Sequence, residues 1–328
     1  MDRQRTRSGL LIAALLLLAA PALAEGIGGS APVLKGLRWL APRADAVRSL
    51  SRRPTECLAR PARGVDVWSV EVGRAAFRTP VLLGGPAARA GMACETCHRS
   101  GRSNPEFYLP GVSGAAGTAD VTTSILSTHR GDHLDNPRPI PDLSGPKAHL
   151  KTPQSEGSAE LVRFIHGLIT EEFDGPEPPP AVLEGLAAYV RALDPRACPA
   201  AADEPVTAEA AFNDAARALR AGRIALVRQD RATGVAMIAA ARAALGDMAE
   251  RFSGPGPSAV RGNLETAARE LADIAAAARQ GAPDAAGRLD GWLCRSAILR
   301  AEVLRHAPAS LYSPKVLAAA LRSADVRR

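Results

Sequence analysis

A chain of 328 residues with 46% apolar content can bury one or two cores, which excludes a disordered or fibrous protein. Aromatics are only 4%, while 29 Gly and 26 Pro make up about a sixth of the chain, so a large aromatic core is excluded and long loops are expected. The 41 Lys and Arg against 34 Asp and Glu give a net charge of +7, too mild and too evenly spread to point to nucleic acid.

Residues 1–9 carry Arg3, Arg5 and Arg7, residues 10–20 are wholly apolar, and Ala22-Leu23-Ala24 offers a small-residue cleavage site. This is the layout of a secretory signal peptide over 1–24, with the mature chain expected to start at Glu25. Its removal takes three Arg and one Asp, leaving 38 basic against 33 acidic residues, a net +5. No later stretch approaches the roughly 18 apolar residues that a helical membrane span needs. The expected product is soluble, exported and periplasmic, with no transmembrane segment after cleavage. Residues 25–64 read as a linker or N-terminal extension.

Export governs how the five cysteines, Cys57, Cys94, Cys97, Cys198 and Cys294, are read, because an oxidising compartment favours disulfides and covalent cofactor attachment. Residues 94–98 are Cys94-Glu95-Thr96-Cys97-His98, the C-x-x-C-H attachment pattern of a c-type haem. Two thiols three residues apart lie on one side of a helical turn and can each bind one porphyrin edge, while the adjacent imidazole is carried to the iron. Cys94 and Cys97 would therefore hold one covalent haem c, with His98 as the proximal iron ligand. A zinc ribbon would need a second Cys pair. A thioredoxin-type dithiol would need a preceding strand, and VLLGGPAARAGMA reads instead as loop.

Residues 181–193 place Leu183, Leu186, Ala187, Val190 and Leu193 on one helical face, with Pro178 to Pro180 before and Pro195 after as start and stop signals. This helix resembles the closing helix of a cytochrome c fold. Gly73, Arg74, Phe77, Gly84 and Gly85, followed by Cys94, Cys97 and His98, are similar to the lead-in of the bacterial di-haem cytochrome c peroxidase and methylamine-utilisation-protein-G-like family. LVRFIHGLITEEFDG and the 181–193 helix share the likeness, which covers residues 65–195. It implies a cytochrome c domain, here 65–198. Peroxide-reducing members of that family carry two haems, whereas this chain has one C-x-x-C-H, so the resemblance does not extend to peroxidase activity.

The sixth iron position separates the roles open to one haem: Met suits electron transfer at high potential, a second His lowers the potential, and an open site admits small molecules. Met92 lies too near Cys94 to reach the opposite face, and Met237 and Met248, eleven residues apart, read as core filling. His129, His133, His149 and His166 fall between the motif and the closing helix, each with a surface or loop role as the simpler reading, so no distal ligand is assigned.

Cys57 and Cys198 flank the haem region, and pairing them would close it with Cys294 left over, although three pairings are open. After Pro199 the composition turns Ala- and Arg-rich. Helical periodicity over 206–229, 232–252, 258–280 and 284–306, with breakers at Arg231–Gly234, Gly254–Pro257 and Gly281–Pro283, predicts four antiparallel helices over 205–328. Arg217, Arg220 and Arg223 read as a solvated face. The expectation is thus an all-α protein, a mono-haem cytochrome c domain followed by a helical bundle, which transfers electrons to or from a periplasmic redox partner protein. A peroxide-reducing haem enzyme and a haem-tethered sensor are the alternatives.

Overall fold

The computed structural model describes residues 34–59, 64–129, 131–145, 151–155, 158–198, 203–253 and 258–325. The segment read as a signal peptide and His149 lie outside them. The chain is mostly helical. Residues Ala46–Ser51 form α1, Gly64–Phe77 α2, Pro80–Leu83 α3, Gly85–Ala90 α4, Cys94–Cys97 α5, Ala159–Gly167 α6 and Pro180–Ala192 α7. The bundle region contributes α8 (Ala208–Val227), α9 (Arg231–Arg251), α10 (Ser258–Arg279), α11 (Ala285–His306) and α12 (Pro314–Asp325). Two short antiparallel ladders complete it: β1 (Arg52–Pro54) with β4 (Asp203–Pro205), and β2 (Thr118–Ala119) with β3 (Arg138–Pro139). No helix among the described residues is long and apolar enough to cross a membrane.

The first core is organised by the crossing of α2 and α7. Gly73 and Gly185 meet there with no side chain between the backbones: a Cβ on Gly185 would lie 2.9 Å from the Ser69 carbonyl oxygen, and one on Gly73 would fall within the Gly185 carbonyl. One turn beyond each glycine, the Phe77 and Tyr189 rings meet in a tilted contact, 56° between planes and 5.1 Å between centroids. The face of α7 expected from periodicity is the buried one, with Leu183, Leu186, Ala187, Val190 and Leu193 all in this core. The stretch before the C-x-x-C-H motif is not loop: it forms α3 and α4, separated by Gly84 at φ 66°. A left-handed glycine lets the chain turn between them without a side-chain clash.

The four helices expected after Pro199 are present as α8 to α11. Each packs on the next and α11 returns to α8, so the bundle closes around Phe212, Leu219, Leu245, Met248, Leu271 and Trp292. The expectation of four helices is exceeded by α12, which packs on α1, and one helix boundary also differs. Arg231–Gly234 does not break a helix but begins α9, which Asp230 caps by accepting from the Thr233 amide at 3.0 Å. The reversal occurs at Arg228–Asp230, where Gln229 takes φ 64°. Gly234 is there for packing: it faces Gly222 of α8, whose Cβ would lie 3.2 Å from the Gly234 carbonyl oxygen. Small residues at a crossing let helix axes approach, and composition alone cannot distinguish that use of glycine from a break.

The two helical regions share packing. Ala221 and Met237 of the bundle belong to the first core, the Trp68 indole donates to the Ala221 carbonyl at 3.0 Å, and the Arg228 guanidinium lies over the Trp68 ring. Residues 34–59, read as a linker or extension, carry elements that touch both regions. The Leu34 and Leu50 side chains join Leu311 and Leu317 in a third small core, and Leu58 pairs with Leu193 at the end of α7. Arg217 is likewise not simply solvated, since it pairs with Asp214 and approaches Glu71 of α2 at 3.6 Å.

Candidate haem-attachment site

The short helix α5 carries both motif cysteines. The Ala93 amide donates to Thr96 Oγ1 at 3.0 Å and the His98 amide to the Cys94 carbonyl at 2.8 Å, which fixes a single turn. The next two residues reverse the chain through left-handed conformations, Ser100 at φ 54° and Gly101 at φ 71°. At Gly101 a Cβ would collide with the Leu193 side chain, so glycine serves both the turn and the approach of the α7 end. The Asn104 side-chain amide donates to the Thr96 carbonyl at 2.9 Å, and Glu95 accepts from the Ser100 amide at 3.0 Å. The motif is thus anchored through Ala93, Glu95 and Thr96.

Cys94 and Cys97 are half-buried against the first core, as separate thiols. Burial pushes both up to about 12, so they are neutral near pH 7. His98 Nδ1 lies 3.1 Å from the Pro141 carbonyl oxygen. A carbonyl only accepts, so Nδ1 carries the proton and Nε2 keeps its lone pair. Burial lowers the His98 pKa to about 4 against the opposing pull of Pro141 and Asp142, which keeps the ring neutral. The Pro141 loop is itself held: Asp142 accepts from Arg102 Nε at 2.6 Å and from the Ser144 hydroxyl at 2.7 Å, and the Leu143 amide donates to the Gly101 carbonyl at 3.1 Å. A carbonyl fixing the remote nitrogen of a metal-ligating imidazole is a recurrent orienting device. Two free thiols beside an imidazole with an available Nε2 suit thioether attachment and axial ligation.

The other candidates are scattered. Met92 and Met237 are buried in the first core and Met248 in the bundle core. His129 is 65% exposed and hydrogen-bonds Asp174 at 2.7 Å; burial alone would raise the Asp174 pKa, but His129, Thr128 and Ser127 bring it down to about 2. His133 is exposed with φ 61°, and His166 is turned outward to Glu177 at 2.8 Å. The structure therefore brings Cys94, Cys97 and His98 together and gathers none of these three histidines with them.

Sequence reasoning missed the charged assembly behind the site. Glu56 accepts from Arg74 Nε at 2.8 Å, Arg78 Nη2 at 2.7 Å and the Tyr189 hydroxyl at 2.7 Å, while Arg74 also pairs with Asp214 of α8 at 2.6 Å. Arg78 approaches Glu95 of the motif at 3.8 Å. These residues are up to 158 positions apart in the chain, and only their shared burial at the α2 face marks them as a unit.

Cys57 and Cys198 are neighbours. The Asp194 amide donates to the Cys57 carbonyl at 2.8 Å, aligning the two segments, and burial together with a hydrogen bond to Cys57 pushes the Cys198 thiol up to about 11. Cys294 lies exposed on α11. In protein isolated under oxidising conditions, Cys57 and Cys198 are expected to resist alkylation until reduced and to appear as one linked peptide pair by mass spectrometry. Reduction is expected to lower stability by about 4–5 kcal/mol, the chain-entropy value for so long a loop. Alkylation of both thiols without reductant would show that no bond forms. None of the protein-family models, curated proteins or solved structures compared with the chain matches it.

Proposed function

We propose that the protein is a periplasmic, mono-haem c-type cytochrome that transfers electrons to or from a partner protein. The observation that carries this reading is the tethered motif: free Cys94 and Cys97 thiols on one turn, followed by His98 with Nδ1 committed to Pro141 and Nε2 available. Cys94 and Cys97 would hold the porphyrin through thioethers and His98 Nε2 would be the proximal ligand. When bound, the haem supplies a one-electron ferric/ferrous couple. The chain's own work is positional. Pro141 orients His98, Arg102 and Ser144 steady the Pro141 loop through Asp142, and Phe77, whose ring centroid is 6.4 Å from that of His98, packs beside the imidazole. The apolar sequence 10–20 and its cleavage site support export.

A peroxide-reducing role is the second reading, favoured by the outward placement of His129, His133 and His166, none of which is gathered with Cys94, Cys97 and His98 as a sixth ligand. The deciding measurement is the absorption spectrum of dithionite-reduced protein, expressed with c-type haem maturation, before and after carbon monoxide. An unchanged spectrum is expected for a carrier with both axial positions filled. A shifted spectrum with steady peroxide turnover would replace the carrier reading by the enzymatic one. Absence of covalent haem, with a Cys94→Ser variant indistinguishable from the parent, would remove both.

A further inference from the structure

We propose that Cys57 and Cys198 are a thiol–disulfide exchange site for a disulfide-bearing partner, and that Arg102 transmits the state of this pair to the Pro141–Asp142 loop that orients His98. The consequence for the iron rests on the reading of His98 as the proximal ligand, whereas the relay itself is made only of groups in this chain.

Main-chain pairing brings the two cysteines together. Leu58 pairs with Leu193 in an antiparallel bridge, the Ala59 amide donates to the Ala192 carbonyl at 2.8 Å, and the Asp194 amide donates to the Cys57 carbonyl at 2.8 Å. The turn at Pro195–Ala197, closed by the Cys198 amide on the Pro195 carbonyl at 3.1 Å, then returns Cys198 to the Cys57 side chain. Cys57 is wholly buried and Cys198 is half-buried. That asymmetry sets the order of exchange. The Cys198 thiolate attacks one sulfur of the partner's disulfide, forming a mixed disulfide and releasing one partner thiolate; the Cys57 thiolate then attacks the Cys198 sulfur and releases the second. The pair loses two protons and two electrons, and the partner's disulfide becomes two thiols. Because burial and the hydrogen bond to Cys57 push Cys198 up to about 11, its thiolate is scarce near pH 7, and either state persists once set.

Arg102 connects this pair to the imidazole. Its Nη1 donates to Cys57 Sγ at 3.4 Å and its Nε to Asp142 Oδ2 at 2.6 Å. Asp142 also accepts from the Ser144 amide at 2.9 Å, and the preceding residue, Pro141, presents its carbonyl to His98 Nδ1 at 3.1 Å. Disulfide closure draws the sulfurs from hydrogen-bond contact to about 2.05 Å, which takes Cys57 Sγ away from Arg102. A guanidinium is a rigid planar fork, so loss of the anchor at Nη1 is felt at Nε. The Asp142 loop is then held less firmly, and with it the acceptor that sets the tautomer and basicity of a ligating imidazole.

The test is amide hydrogen exchange of the full mature chain in reduced and in oxidised glutathione, with the state of the pair read by alkylation and mass spectrometry. The Leu143 amide, which donates to the Gly101 carbonyl at 3.1 Å, is expected to exchange at least about threefold faster in the disulfide form. Cys198→Ser, which keeps Cys57 beside Arg102, should abolish this difference, and any effect from Cys94, Cys97 or Cys294 would survive in it. Arg102→Gln should still form the disulfide but show equal Leu143 rates in the two buffers. With haem attached, the ferric/ferrous midpoint potential of the parent should shift between the two states and that of Arg102→Gln should not. Absence of covalent haem would remove the electron-transfer reading and leave the exchange rates to decide the relay. Failure of oxidised glutathione to link Cys57 to Cys198, equal or slower Leu143 exchange in the disulfide form, or the same difference in Arg102→Gln as in the parent would overturn the proposal.

Discussion

Replacing Glu56 by Gln is expected to destabilise the protein by about 3–5 kcal/mol at pH 7, the usual cost of removing one member of a buried charged assembly. Glu56 receives hydrogen bonds from Arg74, Arg78 and Tyr189, and its side chain is 12% exposed. In the variant, Arg78 would lose its one close carboxylate and keep only the longer-range attraction of Glu95, at 3.8 Å, and of Asp214, so a desolvated guanidinium would be left largely undercompensated. Burial alone would raise the Glu56 pKa, yet the Coulombic pull of Arg78 and Arg74 outweighs it and holds the carboxyl far below its ordinary value of 4.5.

The pH dependence follows from that direction. A carboxyl depressed in the folded state contributes stability that is present above its unfolded pKa and lost as pH falls toward the folded one. The wild-type protein should therefore lose stability progressively below about pH 4.5, and Glu56→Gln should show a shallower loss over the same range. Urea unfolding at pH 7 and at pH 3.5 measures both effects. A loss under about 1 kcal/mol at pH 7, with an unchanged acid slope, would mean that the assembly is solvent-screened and contributes little.

A second large effect is expected at the crossing of α2 and α7. Gly185→Ala should cost about 3 kcal/mol or more, because the new methyl meets backbone rather than a yielding side chain: the Gly73 amide nitrogen and the Ser69 carbonyl oxygen each lie 2.9 Å away. The helices would have to separate, pulling apart the Phe77 and Tyr189 rings and loosening the carboxylate assembly that Tyr189 joins. Gly246→Ala is the control. Gly246 lies within α9, is exposed and has open space around a Cβ, so alanine there should stabilise by about 0.4–1 kcal/mol through reduced unfolded-state entropy. Thermal melts of the two variants with opposite signs would establish that steric approach, rather than glycine content, governs the crossing; equal signs would refute it.

Elements whose cause is local were legible in the amino-acid order. The 3.6-residue periodicity located α7 and the four bundle helices to within about three residues, because each buries one face and its pattern is written along one segment. The grouping of Cys94, Cys97 and His98 was legible for the same reason, since a single helical turn sets it. What required the fold were relations between segments distant in sequence. The Arg231–Gly234 stretch reads as a break because glycine has the same local signature in a turn and at a tight helix contact, and only the position of Gly222 distinguishes them. Pro141 lies 43 residues from His98, so the orientation of the imidazole had no local signal. The role of residues 34–59 likewise depends on partners at Leu193, Pro205 and Leu317. Glu56, Arg74, Arg78 and Asp214 are ordinary surface residue types until packing excludes water from them, and electrostatic coupling between them depends on that exclusion, a property of the assembled interior and not of any one segment.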